Sequence, residues 1–356
     1  MGTQIGKLLI KCRHEIEYSH LYRKKIGIDA YNMIYAFLAP IRTRQTGGGY
    51  LTDANGNVTS HLSGLFYRMT NLLPYRIRPV FIFDGEPPIF KEKEIEIRKK
   101  RKNIAEIKRN DAIARGDLEE ALKHAQATSR ITSNMIEDAK KLLNYFGIPI
   151  IQAVSEAEAQ GAFMVREGTL NAMASQDYDA FLFGSPEVIR NLTITRRRRV
   201  PSQSRSIELI PEKVILTELL DELKLGSRDQ LIMLGLLVGT DYNPKGIKGI
   251  GPKTALKLVH KYRTPDSLLE YLNVNFSLNE VFPYPPNILL DYFRTPEVEK
   301  GVKIIIKKPQ PDKITEFLVE ERDFNKDRIE KQLETMFTKT RKIKQKLDQK
   351  SLEKFF

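Results

Sequence analysis

Lys25-Ile26-Gly27-Ile28-Asp29 and Pro79-Val80-Phe81-Ile82-Phe83-Asp84-Gly85 are two short apolar runs that each lead into an aspartate. Runs of this length, rich in β-branched and aromatic residues and bounded by turn formers, read as buried strands. Ile148-Pro149-Ile150-Ile151 and Ala172-Met173-Ala174-Ser175 are weaker runs of the same kind. Between them, apolar residues recur at helical spacing over 60–73, 132–146 and 156–167. Strands alternating with helices predict an α/β fold with a twisted, mostly parallel central sheet flanked by helices. No internal repeat of solenoid length is visible in the chain.

Composition bounds the function. The chain has 356 residues, 58 Lys and Arg against 45 Asp and Glu, and a formal charge of +13. Its 41% hydrophobic content is enough for a sizeable core and excludes a wholly disordered chain. No apolar run is long enough to span a membrane, and Met1 to Leu9 carries no long apolar stretch before Lys11, so no secretory leader is expected. The single Cys12 excludes a disulfide framework and a cysteine-based zinc site, and points to a reducing, intracellular compartment. A pI near 9.5 predicts a polyanionic partner, nucleic acid or an anionic membrane surface.

Three segments differ from the rest. Residues 91–128 are dense in Lys, Arg, Glu and Ala and predict an exposed helix broken near Gly116-Asp117. Residues 195–206 contain Arg196-Arg197-Arg198-Arg199 and predict an exposed basic loop or hairpin. Residues 339–348 are lysine-rich and predict a flexible tail.

Carboxylates follow the expected strands. Asp29 and Asp84 each sit directly after one, where open α/β sheets bind ligands. Either also suits a helix cap or a turn. In Ser155-Glu156-Ala157-Glu158, Ser155 and Glu158 have capping-box spacing, which leaves Glu156 unexplained. Asp177-Tyr178-Asp179 follows the run at 172–175 as an ion-facing pair or a turn, and Asp241 follows the apolar helix 230–238. If these seven acids converge, they cannot all stay ionised without cations. An oxygen-only donor set selects hard ions such as Mg²⁺ or Mn²⁺, and two such ions suit phosphodiester hydrolysis.

Gly246-Ile247-Lys248-Gly249-Ile250-Gly251-Pro252-Lys253-Thr254-Ala255 has the pattern of a helix-hairpin-helix DNA-binding element. Glycines permit the tight turn, Pro252 fits a first helical turn, and amides at that helix start suit a phosphate. Lys248, Lys253 and Lys257 add charge without reading sequence. The bland alternative is a glycine-rich turn between packed helices. At the end of the chain, Leu352, Phe355 and Phe356 share one face of a helical turn. Two exposed phenylalanines call for a partner surface or for packing back on the domain. The spacing from Gln349 through Leu352 to Phe355-Phe356 resembles the peptide that docks on the sliding clamp (PCNA).

Together these stretches resemble the flap endonucleases of archaea and eukaryotes, members of the 5′-nuclease superfamily. The resemblance rests on Ile28-Asp29-Ala30, Thr59-Ser60-His61-Leu62, Phe66-Tyr67-Arg68, Val80 to Gly85, Pro87-Pro88, Ser155 to Ala159, Ser175 to Asp179, Gly239 to Tyr242 and the glycine hairpin. It implies one catalytic domain over 1–338, with an N-terminal nuclease region at about 1–105 and a helical arch at about 88–132. An internal nuclease region at about 146–240, the hairpin element at about 228–262 and a basic tail from 339 ending in the clamp peptide 349–356 complete it. It implies cleavage of 5′ flaps in branched DNA during replication and repair, with some 5′→3′ exonuclease action, by a monomer with two Mg²⁺ ions, replaceable by Mn²⁺. Asp84, Glu156 and Glu158 match the ligands of one metal, with Asp29 acting through water. Asp177 and Asp179 match those of the second, with Asp241 nearby.

The resemblance further matches Lys91 and Arg98 to a basic pair at the base of the arch that stabilises charge on the scissile phosphate. It matches Tyr35 to an aromatic that stacks on a base, with a core aromatic as the alternative, and it places Arg68 on DNA. The location implied is the cytoplasm of an archaeal cell, or the nucleus of a eukaryotic one. Glu86, the loosely similar segment Met1 to Tyr22 and the enlarged Gly47-Gly48-Gly49 loop depart from the pattern. An exonuclease, a bubble-cutting nuclease or a junction resolvase would share the fold, but the short span between Arg98 and Ser155 disfavours the bubble-cutting class. A non-catalytic DNA-binding clamp adaptor would use the hairpin and tail equally well, and has no use for seven carboxylates.

Overall fold

The computed structural model describes residues 4–9, 11–43, 47–192, 197–199, 206–244, 246–278 and 282–352. Seven strands form one sheet in the order β1 (His14–Glu15), β11 (Glu212–Ile215), β8 (Glu187–Arg190), β7 (Ala172–Ala174), β2 (Lys25–Asp29), β5 (Arg78–Phe83) and β6 (Ile150–Gln152). Two small ribbons pair β3 (Arg42–Thr43) with β4 (Gly49–Tyr50), and β9 (Arg197–Arg199) with β10 (Ser206–Glu208), the latter where the basic hairpin was expected. From β6 to β8 the sheet is parallel; β11 and β1 add an antiparallel edge. The expected mostly parallel sheet is therefore present. The strands β1, β8 and β11, which complete that side of the sheet, were not picked out in the sequence.

Both faces of the sheet are covered. Ile26, Ile28, Phe81 and Phe83 are buried on one face, in the apolar layer of α1 (Ala30–Leu38), α2 (Ser60–Leu72) and α5 (Ser133–Tyr145). Val80, Ile82 and Met173 join the layer of α6 (Ala157–Arg166), α7 (Asp179–Leu182) and α9 (Arg228–Val238). Alternate residues of β5 thus enter opposite layers, as the pleat requires, and the strand reads as one continuous apolar run.

Topology positions the site. The chain builds outward from β2 to β5 and β6, then returns to the other side of β2 for β7 and β8. This reversal creates a crevice at the carboxyl ends of the strands.

Above that edge, α3 (Glu92–Ala114) packs against α4 (Leu118–Ala125). Only Glu94, Ala105 and Ala112 of α3 are buried, as its charged composition predicts. The break falls at Gly116-Asp117, where the Asp117 carboxylate caps α4 by accepting from the Glu120 amide at 2.9 Å. The loop carrying Gly47 reaches the pair, its carbonyl accepting from Arg109 Nε at 3.1 Å.

The C-terminal third is helical: α8 (Leu216–Glu222), α10 (Pro252–Lys261), α11 (Pro265–Asn275), α12 (Pro286–Arg294), α13 (Pro311–Thr315) and α14 (Lys326–Leu352). The last helix corrects one expectation. The lysine-rich stretch from 339 continues α14 to Leu352 rather than forming a flexible tail. No glycine or proline interrupts 326–352, and Ile329, Leu333 and Met336 anchor its first turns in the core. No helix among the described residues is long and apolar enough to cross a membrane.

Candidate active site

Four strand ends supply most of the acids. Asp29 closes β2 and caps α1, its Oδ1 accepting from the Asn32 amide at 2.9 Å. Capping and site membership coincide here, because the helix start is the edge of the crevice. Asp84 follows β5. The next residue, Gly85, donates its amide to the Ser155 carbonyl at 2.6 Å, and a Cβ there would lie 2.1 Å from the Val154 carbonyl oxygen. Only glycine permits this approach.

The approach brings Asp84 to the start of α6, where Oδ1 accepts from the Ala157 amide at 2.7 Å. The expected Ser155–Glu158 capping box is thereby corrected. Glu156 is the N-cap residue, and the acid from the neighbouring strand serves the helix end. That end is a favourable place for negative charge. Glu158 instead accepts from Ser175 Oγ at 3.0 Å, and Ser175 Oγ accepts from the Asp177 amide at 3.2 Å. Asp179 begins α7.

These carboxylates feel one another. Burial and then the Asp84 charge raise Asp29 to about 7. Burial and then Asp179, Asp29 and Asp177 lift Glu158 well above the usual carboxylate range. Burial also raises Asp84 and Glu156. Accumulated negative charge out of water is costly until a cation relieves it.

Two cations already reach in. Lys91 Nζ donates to Glu156 and lies 3.8 Å from Asp241. Burial works against its charge, but Glu156 and Asp241 hold its pKa above the ordinary lysine value. Arg98 reaches Asp241 at 2.8 Å and Glu94 one helical turn away. The seven-residue spacing of the basic pair thus brings both onto the acid cluster. Among the described residues, no three His, Cys, Asp or Glu side chains close around a common point as they stand. The donor chemistry of the seven acids fits hard divalent ions.

Three further participants surround the basic pair, Tyr242 from the motif at 239–242 and two with little sequence signal. Glu94 is 1% exposed and anchors Arg98; its i,i+4 spacing was the one available hint. Tyr242 lies under Lys91, with Nζ 6.0 Å from the ring centre. Tyr292 donates its hydroxyl to Glu156 at 3.4 Å from α12, more than 130 residues on, and nothing in its local sequence marks it.

Other expected residues lie elsewhere. Arg68 was expected on DNA. It is buried in α2, and its guanidinium donates to the Leu192 carbonyl and, at 3.4 Å, to that of Asn191. That places it in the packing beneath β8, because a buried guanidinium must satisfy its donors internally. Tyr35 lies half-buried under the arch, its hydroxyl donating to the Ser129 carbonyl and Lys102 Nζ 4.7 Å from its ring centre. In the glycine hairpin, Ile247, Ile250, Ala255 and Val259 are buried. Lys248, Gly249, Gly251, Lys253 and Lys257 are exposed on one connected stretch, and Gly246 is buried against the end of α9. Gln349 and Leu352 fall in the last turns of α14, and Phe355 and Phe356 lie outside the described residues.

Fold and site together define a nuclease-type α/β domain, and comparison with known proteins agrees. Residues 1–105 match the XPG N-terminal domain and 147–241 the XPG I-region. The chain is 48% identical to flap endonuclease 1 of Pyrococcus abyssi over 336 residues, 94% of each chain. It is 45% identical to flap endonuclease 1 of Thermofilum pendens over 356 residues, 100% of this chain and 99% of the relative. The solved flap endonuclease-1 from Methanococcus jannaschii superposes with a TM-score of 0.70 at 37% identity, covering 96% of this chain and 99% of that one. The catalytic core of Rad2 in complex with DNA substrate shares the fold, with a TM-score of 0.70 at 23% identity over 94% of this chain and 100% of that one. The chain belongs to the flap endonuclease family. Nucleases of this family use divalent metal ions.

Proposed function

We propose that this protein is a structure-specific endonuclease that cuts 5′ flaps in branched DNA, leaving a 5′-phosphate and a 3′-hydroxyl. The observation that carries the reading is the acid cluster at the carboxyl ends of β2, β5, β6 and β7, with Lys91 and Arg98 of the arch base inserted into it. A basic protein gains nothing from desolvated carboxylates facing a polyanion unless cations mediate between them.

Asp84, Glu156 and Glu158, with Asp29 through water, would hold one divalent ion, and Asp177 and Asp179 a second, with Asp241 beside them. When bound, such ions lower the pKa of an attacking water and offset charge on the leaving oxygen, and Mg²⁺ suits an all-oxygen donor set. The chain's own residues do the rest. Lys91 and Arg98 exchange Glu156 and Asp241 for the scissile phosphate, placing positive charge where negative charge accumulates in the transition state. Glu94 holds Arg98 in place. The exposed amides and lysines of the 246–257 hairpin grip duplex phosphates without reading sequence. The arch covers the single strand, and Tyr35 meets a base once Lys102 moves aside. The C-terminal peptide from Gln349 to Phe356 docks on a sliding clamp.

The test is cleavage of a labelled double-flap DNA with Mg²⁺ or with EDTA, by the natural chain and by Asp177→Asn. The expected result is Mg²⁺-dependent cutting near the flap junction, lost in the variant. Binding without cutting in every divalent metal would make the protein a DNA-binding clamp adaptor.

A further inference from the structure

The opposite end of the sheet carries a groove of about 480 Å³ that the proposed reaction does not use. It lies where β2, β5 and β6 begin, bounded by the turns at Arg23 and Arg76, the segment Ile306–Pro309 and α14. Six residues of β5, at about 3.3 Å each, separate Arg78 at the groove from the acid end, roughly 20 Å away.

The groove is built, not incidental. Arg23 and Arg76 both adopt left-handed backbone, with φ of 57° and 56°. Such non-glycine residues are disfavoured and persist only when surrounding structure fixes them. Here the Arg23 amide donates to the Arg76 carbonyl at 3.0 Å and the Arg78 amide to the Lys24 carbonyl at 3.0 Å. The far wall is pinned at Gly147, whose carbonyl accepts from the Lys307 amide at 2.9 Å. A Cβ at that glycine would sit 2.3 Å from the Lys307 carbonyl oxygen.

Its chemistry is two-toned. The floor is apolar: the half-buried Phe337 and the exposed Ile306 are its open groups, over the buried Phe146, Ile148 and Met336. The rim is Arg23, Arg76, Arg78, Lys307 and Lys308, with no Asp or Glu among the lining residues. None of these five cations forms an ion pair among the described residues. Nucleic acid would use the rim and leave the floor idle, since phosphate contacts need no apolar surface. Base stacking needs an open aromatic face, and of the two rings lining the groove Phe146 is only 1% exposed and Phe337 is half-buried.

We propose that this groove docks an acidic peptide segment of a protein partner, with one or two large apolar side chains seated on the floor and carboxylates on the rim. Complementary charge aids encounter and register, and the seated apolar groups supply most of the retention. The site is independent of the flap-cleavage reading.

The test is selection from a displayed random dodecapeptide library on the full chain, with counter-selection on the Arg78→Glu/Lys308→Glu double variant. Both substitutions are on exposed side chains. The expected result is enrichment of net-acidic peptides containing Leu, Ile or Phe. A synthetic winner should bind the variant about tenfold more weakly, and its all-serine counterpart at the apolar positions should fail on both. Absence of enrichment, enriched peptides without acidic excess, or equal retention by the variant would each overturn the proposal. So would a loss of double-flap DNA affinity in the variant, because the rim would then be a phosphate contact. An unchanged melting temperature shows that the variant is folded.

Discussion

The same parallel strands end in opposite electrostatics. At their carboxyl ends, carboxylates are desolvated, bonded to helix starts and bridged by Lys91 and Arg98. At their amino ends, five cations line a groove without an acid among them. The difference teaches what burial does to charge. Charges withdrawn from water perturb one another and become available for chemistry. Charges left in water are free to serve recognition.

Substitutions at the two ends should therefore separate cleanly. Asp177→Asn at the acid end is expected to lower flap cleavage about 10³-fold, with EDTA giving a comparable loss, measured as single-turnover rates. A variant that cuts at the natural rate would break the contrast at its root. Lys91→Met removes the cation paired with Glu156 and should cost about 10²–10³-fold in the same assay with DNA affinity little changed. An equal fall in affinity and rate would make Lys91 a binding residue only.

Between the two ends, His61 in α2 offers a measure of burial, which outweighs the opposing pull of Asp138. It is fully buried, and desolvation lowers its pKa to about 4. The unfolded chain binds this proton from about pH 6.5, so the histidine's contribution is intact above that pH and is lost as pH falls toward 4. His61→Gln should remove up to about 3 kcal/mol of that acid destabilisation, read as the difference between the two proteins' urea midpoints across that window. Parallel pH profiles would show that the ring finds a proton acceptor.

The smallest effect on cleavage is expected from Arg78→Glu/Lys308→Glu at the basic end, which should leave it within about twofold while weakening the selected peptide's binding about tenfold. A larger loss of cleavage would merge the two ends into one DNA-binding surface.

Much of this was legible in the chain. Lys25–Asp29 and the run into Asp84 announced central strands because residues buried on both faces must be apolar throughout. Gly116-Asp117 announced the break in the arch because a capping aspartate is local chemistry. Local pattern failed where partners were distant. Ser155 and Glu158 have capping-box spacing, yet Asp84 takes the cap from another strand. Arg68 lies within a family motif, yet its guanidinium is buried against carbonyls more than 120 residues away. The lysine-rich end looked loose, yet it continues a helix whose anchor is Ile329, Leu333 and Met336.

By itself, the sequence determined the alternation of strands and helices, the identity of the seven acids and the basic pair, and the glycine hairpin. Each depends on residue type at short range. Only the tertiary structure decided that the acids meet Lys91 and Arg98, that Glu94, Tyr242 and Tyr292 attend them, and that five cations ring an apolar groove at the far end. Most of those juxtapositions join segments far apart along the chain, and such contacts have no fixed spacing in the sequence.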